Sequence, residues 1–154
     1  MYFVLIQVLG MGVMFSYIAS SPFVFQEHYH LSPVMYSICF ACNAVAIMLG
    51  SLSVVRFRSN EHALRVGVCG FMFLCCCTGA ALCLELSVII IEIVFFLFLF
   101  FLGIILPTST TLALNLERQN SGTASAILGF LTFLGGGIVS PLTGIGNILY
   151  STSA

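Results

Sequence analysis

An all-α, polytopic membrane fold with about five transmembrane helices is the class this sequence predicts, and three observations predict it. First, the 154 residues are 60% hydrophobic and only 6% charged, with a mean hydropathy of +1.19. Soluble domains carry roughly 25% charged residues, so these charges are too few to cover a water-facing surface. Second, apolar runs of about 20 residues, long enough to cross a ~30 Å hydrocarbon core, recur along the chain. Third, the segments between them are short and hold most of the charges. Lipid offers no partner to an open backbone group, so the spans must be helices; no barrel-type alternation is visible.

The first span is expected at 2–25. It has no positive leading segment and exceeds a signal-peptide core, so it reads as a retained helix. Gln26 to His30 joins it to a second span at 34–55, and Arg56 to His62 leads to a third at 63–84. Glu85 marks a tight turn into a fourth span at 86–106, which has a polar continuation to Leu116. Glu117-Arg118-Gln119-Asn120 leads to a fifth span at 123–149. Lysine is absent, and Arg56, Arg58, Arg65 and Arg118 fall on one side after two crossings. The positive-inside rule places that side, and the N-terminus, in the cytoplasm and the C-terminus outside. The expected location is the inner (plasma) membrane. A net charge of −1 gives no footing for a nucleic-acid partner.

Seven cysteines lie within apolar runs, where cysteine packs as a small apolar residue. Cys39-x-x-Cys42 has metal or redox spacing but lacks a companion pair. His28 and His30 lack the further ligands a metal site needs. No nucleophile–base pair, phosphate loop or zinc helix appears, so an enzyme is not expected, nor any cofactor or metal.

Two stretches carry a resemblance: Ser16-Tyr17-Ile18-Ala19-Ser20-Ser21-Pro22-Phe23-Val24-Phe25-Gln26 and Ser121-Gly122-Thr123-Ala124-Ser125-Ala126-Ile127-Leu128-Gly129. Leu31-Ser32-Pro33, Phe40-Ala41-Cys42-Asn43-Ala44 and Arg56-Phe57-Arg58 add to it in the same order. Together they resemble the second half of the Bcr/CflA-type (bicyclomycin/chloramphenicol resistance) drug efflux transporters of the major facilitator superfamily. Such proteins have two six-helix halves built from inverted repeats. The resemblance implies that this chain matches helices 7–11, with the N-terminal six-helix half and the last helix missing. It further implies proton-coupled antiport of a hydrophobic small-molecule drug, with a path near the bilayer midplane between the halves.

Within that frame Met14, Tyr17 and Asn43 are expected to line the substrate path. Tyr17 lies near the helical face of Gln7, and adaptable Met and Tyr side chains suit promiscuous binding. Asn43 serves equally as an interhelical clamp. Glu92, seven residues after Glu85, is a proton-relay candidate because an intramembrane carboxylate is functional by default; the alternative is snorkelling to the outer interface. Pro22, Pro107 and Pro141 are bends or hinges, with Thr108, Ser109, Thr110 and Thr111 available to satisfy carbonyls. Gly122, Ala124, Gly129, Gly135, Gly136 and Gly137 form a small-residue face that favours close helix packing. The rival readings are a truncated or split-gene fragment with no transport of its own, and a small self-assembling membrane protein.

Overall fold

The computed structural model describes residues 2–84, 87–116 and 121–151, apart from the side chains of 82, 83, 121 and 140–151. Glu85, Glu117 and Arg118, and the side chain of Pro141, lie outside the described residues. Among the described residues the chain is all-α, with five helices long and apolar enough to cross a membrane. Helix α1 spans Tyr2–Pro22 and continues as a π-helical turn, Phe23–His28. Helix α2 spans Pro33–Ser53 and ends in a 3₁₀ turn, Val54–Arg56. Helices α3, α4 and α5 span Asn60–Cys83, Val88–Asn115 and Ser121–Ser151.

Local chemistry sets these ends. Pro22 permits the helical course to continue but as a wider turn, and His30 then reverses the chain at φ 53°. Ser32 caps α2, its hydroxyl accepting the Met35 N–H at 3.3 Å, and Pro33 occupies the first helical position, where a missing N–H costs nothing. Ser59 does the same for α3, accepting the His62 N–H at 3.2 Å. Pro107 neither ends nor splits α4, which runs unbroken to Asn115. The hydroxyls of Ser109, Thr110 and Thr111 fold back on the carbonyls of Ile105, Leu106 and Pro107 at 2.7, 2.9 and 2.8 Å. The fourth span is therefore longer than the apolar run alone suggests.

Helix α4 is the hub. It packs against α1, α2 and α3, while α5 lies mainly on α1. Its Leu99 and Leu102 are completely buried, and Ile91 and Ile104 nearly so. In lipid this core is held by close packing and not by exclusion of water. The closest approach is between α2 and α4. A Cβ on Gly50 would stand 2.0 Å from the Phe100 carbonyl oxygen, and one on Gly103 would stand 2.3 Å from the Ile47 carbonyl oxygen. Each glycine thus lets the other helix's backbone in.

The small-residue face of α5 has a more limited part. Gly135 and Gly136 seat Val8 and Phe15 of α1, with a Cβ reaching those side chains at 2.5 and 2.2 Å. Among the described residues a Cβ on Gly122, Gly129 or Gly137 would meet nothing within 4 Å, and Ala124 is half-buried at the edge of a cleft. The difference follows from where α5 lies: it touches α1 along one stripe, so only glycines on that stripe are enclosed. Gly129→Ala is therefore expected to leave stability unchanged or raise it by up to about 1 kcal/mol through helix propensity. Gly136→Leu is expected to displace Phe15 and lower the unfolding midpoint. Thermal unfolding of the two variants, followed by circular dichroism, checks both.

Candidate substrate and proton site

The polar groups of the bundle interior gather at two levels. At the first, Gln7 of α1 accepts a hydrogen bond from the Ser109 hydroxyl of α4. Both side chains are buried. Ser109 therefore binds across helices as well as to its own backbone. Replacing either partner by an apolar residue of similar size is expected to cost about 0.6–1.7 kcal/mol, the range for interhelical bonds in membranes. A Gln7→Leu and Ser109→Ala double-mutant cycle measures it.

At the second level Asn43 stands at the centre. It is the eleventh residue of the 21 in α2, and 1% exposed. Its Nδ2 donates to the Tyr17 hydroxyl oxygen of α1 at 2.8 Å and to Glu92 Oε2 of α4 at 3.3 Å. One amide thus ties three helices. Because Tyr17 accepts this bond, its own hydroxyl proton remains free to be given elsewhere. Asn43 Oδ1 and Glu92 Oε1 are buried with no hydrogen-bond partner among the described residues. Glu92 lies on the fifth residue of α4, roughly 6 Å into the helix. Its side chain turns to the middle of α2 and does not run out along its own helix.

Aromatic rings enclose this cluster. Tyr17 lies parallel to Phe40, ring centres 6.3 Å apart, and tilts on Phe95 at 5.3 Å. Phe25, fully buried on the π-helical turn, packs on Phe95 and Tyr36 at 5.9 and 6.2 Å. Tyr36 in turn shares a 2.9 Å hydrogen bond with Ser21. The turn after Pro22 thereby places an aromatic cover at one end of the site. Nothing in the spacing of Phe25 marks it in the sequence; the π-helical widening is what turns it inward.

Met14, Tyr17 and Asn43 come together on the wall of one cleft of about 180 Å³ between α1, α2 and α4. Glu92 lines a second cleft of about 320 Å³ between α2 and α4, with Cys39 and Cys42 opposite it. The Asn43 amide stands between the two. A further cleft, about 550 Å³, lies at the other end of α4 against α5; Thr123 is the one polar side chain among the described residues lining it. His28 ends the π-helical turn and meets the Tyr29 ring edge-on at 4.7 Å. Arg56, Arg58 and Arg65 all lie near the α2–α3 connection, where Arg65 pairs with Glu61 at 4.0 Å on an exposed helix face.

Five apolar helices with a buried polar cluster between them define a polytopic α-helical membrane protein. Over 142 residues, 87% of this chain, the sequence is 35% identical to YdgK of Bacillus subtilis (strain 168), an uncharacterised MFS-type transporter. The chain is thus similar, over most of its length, to part of an MFS-type transporter. The chain spans 34% of that relative's length. No protein-family model matches the chain, and no solved structure matches it significantly.

Proposed function

We propose that the chain forms part of a proton-coupled drug efflux transporter of the Bcr/CflA type, matching helices 7–11 of the twelve. The observation that carries this reading is the hydrogen-bonded line Tyr17–Asn43–Glu92 between three helices, with Tyr17 and Asn43 buried, Glu92 half-buried, and two clefts beside it. A carboxyl group there can take up and release a proton while its neighbours rearrange, which is what coupling requires. The apolar and aromatic lining of the clefts suits a hydrophobic drug held by few polar contacts. The similarity to an MFS-type transporter supports transport over catalysis. The N-terminal end and the arginine-bearing loop face the cytoplasm on this reading, by the positive-inside rule.

The test is drug susceptibility and accumulation in a pump-deficient cell. In a parent chain that includes these five helices, Tyr17→Ala or Asn43→Ala lowers resistance; unchanged resistance, with the protein present in the membrane, removes both from the path. Expression of residues 1–154 alone addresses a second reading, favoured by the 34% coverage of the relative. On that reading the chain is a fragment that transports only with a second half. Reduced accumulation that a protonophore restores would sink the second reading, and no change would support it.

A further inference from the structure

The connection between α2 and α3 concentrates the positive charge of this chain. Arg56, Arg58 and Arg65 are three of its four Lys and Arg residues, and Glu61 is the one acid among residues 54–66. All three arginines are exposed. The segment that carries them is short and internally bonded. The Val54–Arg56 turn is closed by the Phe57 N–H, which donates to the Val54 carbonyl at 3.1 Å. Ser59 caps α3, and the Phe57 ring meets His62 edge-on at 5.9 Å, tying the turn to the start of that helix. The backbone that holds Arg56 and Arg58 is therefore set before any ligand arrives.

Apolar side chains stand directly beside these charges. Leu52 is 60% exposed and Val55 87%. At the end of a membrane-crossing helix such residues face acyl chains, and the residues just beyond them lie among the headgroups. The anion of that layer is phosphate. An arginine fork meets phosphate oxygens two at a time and keeps its charge throughout the physiological range. A phospholipid that carries only the phosphate charge fits this surface at both ends, its acyl chains on Leu52 and Val55 and its headgroup on the arginines. A zwitterionic lipid brings its own cation against the same arginines and gains less. A soluble acidic partner has no use for the apolar skirt.

Glu61 works against such a ligand. Its carboxylate lies 4.0 Å from Arg65, with side chains 65% and 82% exposed, so the pair is weak but still occupies Arg65. Arg56 and Arg58 have no acid within four residues on their N-terminal side, and Glu61 is the nearest on the other.

We infer that the α2–α3 connection is a binding surface for the headgroup of an anionic phospholipid, with Arg56 and Arg58 as its main contacts and Arg65 restrained by Glu61. The surface needs only that the helices cross a bilayer, and it stands or falls apart from drug or proton transport.

The test is native mass spectrometry of the 154-residue chain, released from detergent micelles that hold equal amounts of phosphatidylglycerol and phosphatidylcholine with identical acyl chains. Each arginine near an anionic surface contributes about 5-fold, so three arginines less one glutamate should favour retained phosphatidylglycerol by about 25-fold. Arg56→Gln and Arg58→Gln should each reduce the preference about 5-fold, and the double variant should nearly erase it. Arg65→Gln should do less. Glu61→Gln should raise the preference by up to about 5-fold, a gain that a misfolded variant would not produce. Equal retention of the two lipids by the unmodified chain would overturn the surface. So would a preference that survives in the Arg56→Gln, Arg58→Gln double variant, or one that falls in Glu61→Gln. Excess inorganic phosphate separates lipid from free anion. Phosphatidylglycerol that stays bound supports the lipid surface, and its displacement would assign the arginines to a soluble anion and overturn it.

Discussion

Gly50→Ala should be among the most damaging single substitutions in this chain, and Gly103→Ala should match it. At each position the added methyl meets a main-chain carbonyl, at 2.0 Å and 2.3 Å, and not the end of a side chain that can turn away. Relief requires the helices to separate. Overpacking commonly costs about 1–3 kcal/mol, and an obstruction made of backbone belongs at or above the top of that range. Separation would also pull Asn43 from Glu92, because both contacts lie along the same pair of helices. The chain has no tryptophan, so circular dichroism in detergent or nanodiscs is the suitable reporter. Loss of the thermal transition, or a large fall in its midpoint, is expected for both variants, with Gly129→Ala as the unaffected control. Near wild-type stability of Gly50→Ala would mean that α2 and α4 do not cross here.

Asn43→Leu should produce the second large effect, and one of a different kind. The substitution keeps most of the volume but removes the donor shared by Tyr17 and Glu92. Glu92 would then have neither oxygen satisfied. A hydrogen bond to a charged group contributes roughly 1.5–3 kcal/mol, and the loss is expected in that range. Combining Asn43→Leu with Glu92→Leu should recover part of it, because no polar group is then left buried and unpaired. Strict additivity of the two single changes would show that the groups do not interact. In a transporting parent chain, Asn43→Leu should also reduce drug efflux.

The five spans were readable because lipid imposes a length and a composition that composition alone reveals. The fourth span was read with a polar continuation to Leu116, and α4 runs through Pro107 to Asn115, since hydroxyls of the following residues bind back to their own helix. Tyr17, Asn43 and Glu92 stood out singly as polar groups in apolar helices. Their meeting was not legible, as they are 26 and 49 residues apart along the chain.

The glycines show the same division most clearly. The sequence concentrates them in α5, but small residues record only that a close approach is permitted, not which helix makes it. Packing decided that Gly135 and Gly136 are enclosed by α1, and that the tightest crossing belongs to the isolated Gly50 and Gly103. Sequence by itself determined that this is an all-helical membrane protein with a few polar groups in its interior, because the solvent acts on every residue separately. Only the tertiary structure decided which helices touch, which glycines matter and which polar groups share hydrogen bonds, because those are properties of pairs brought together from distant points in the chain.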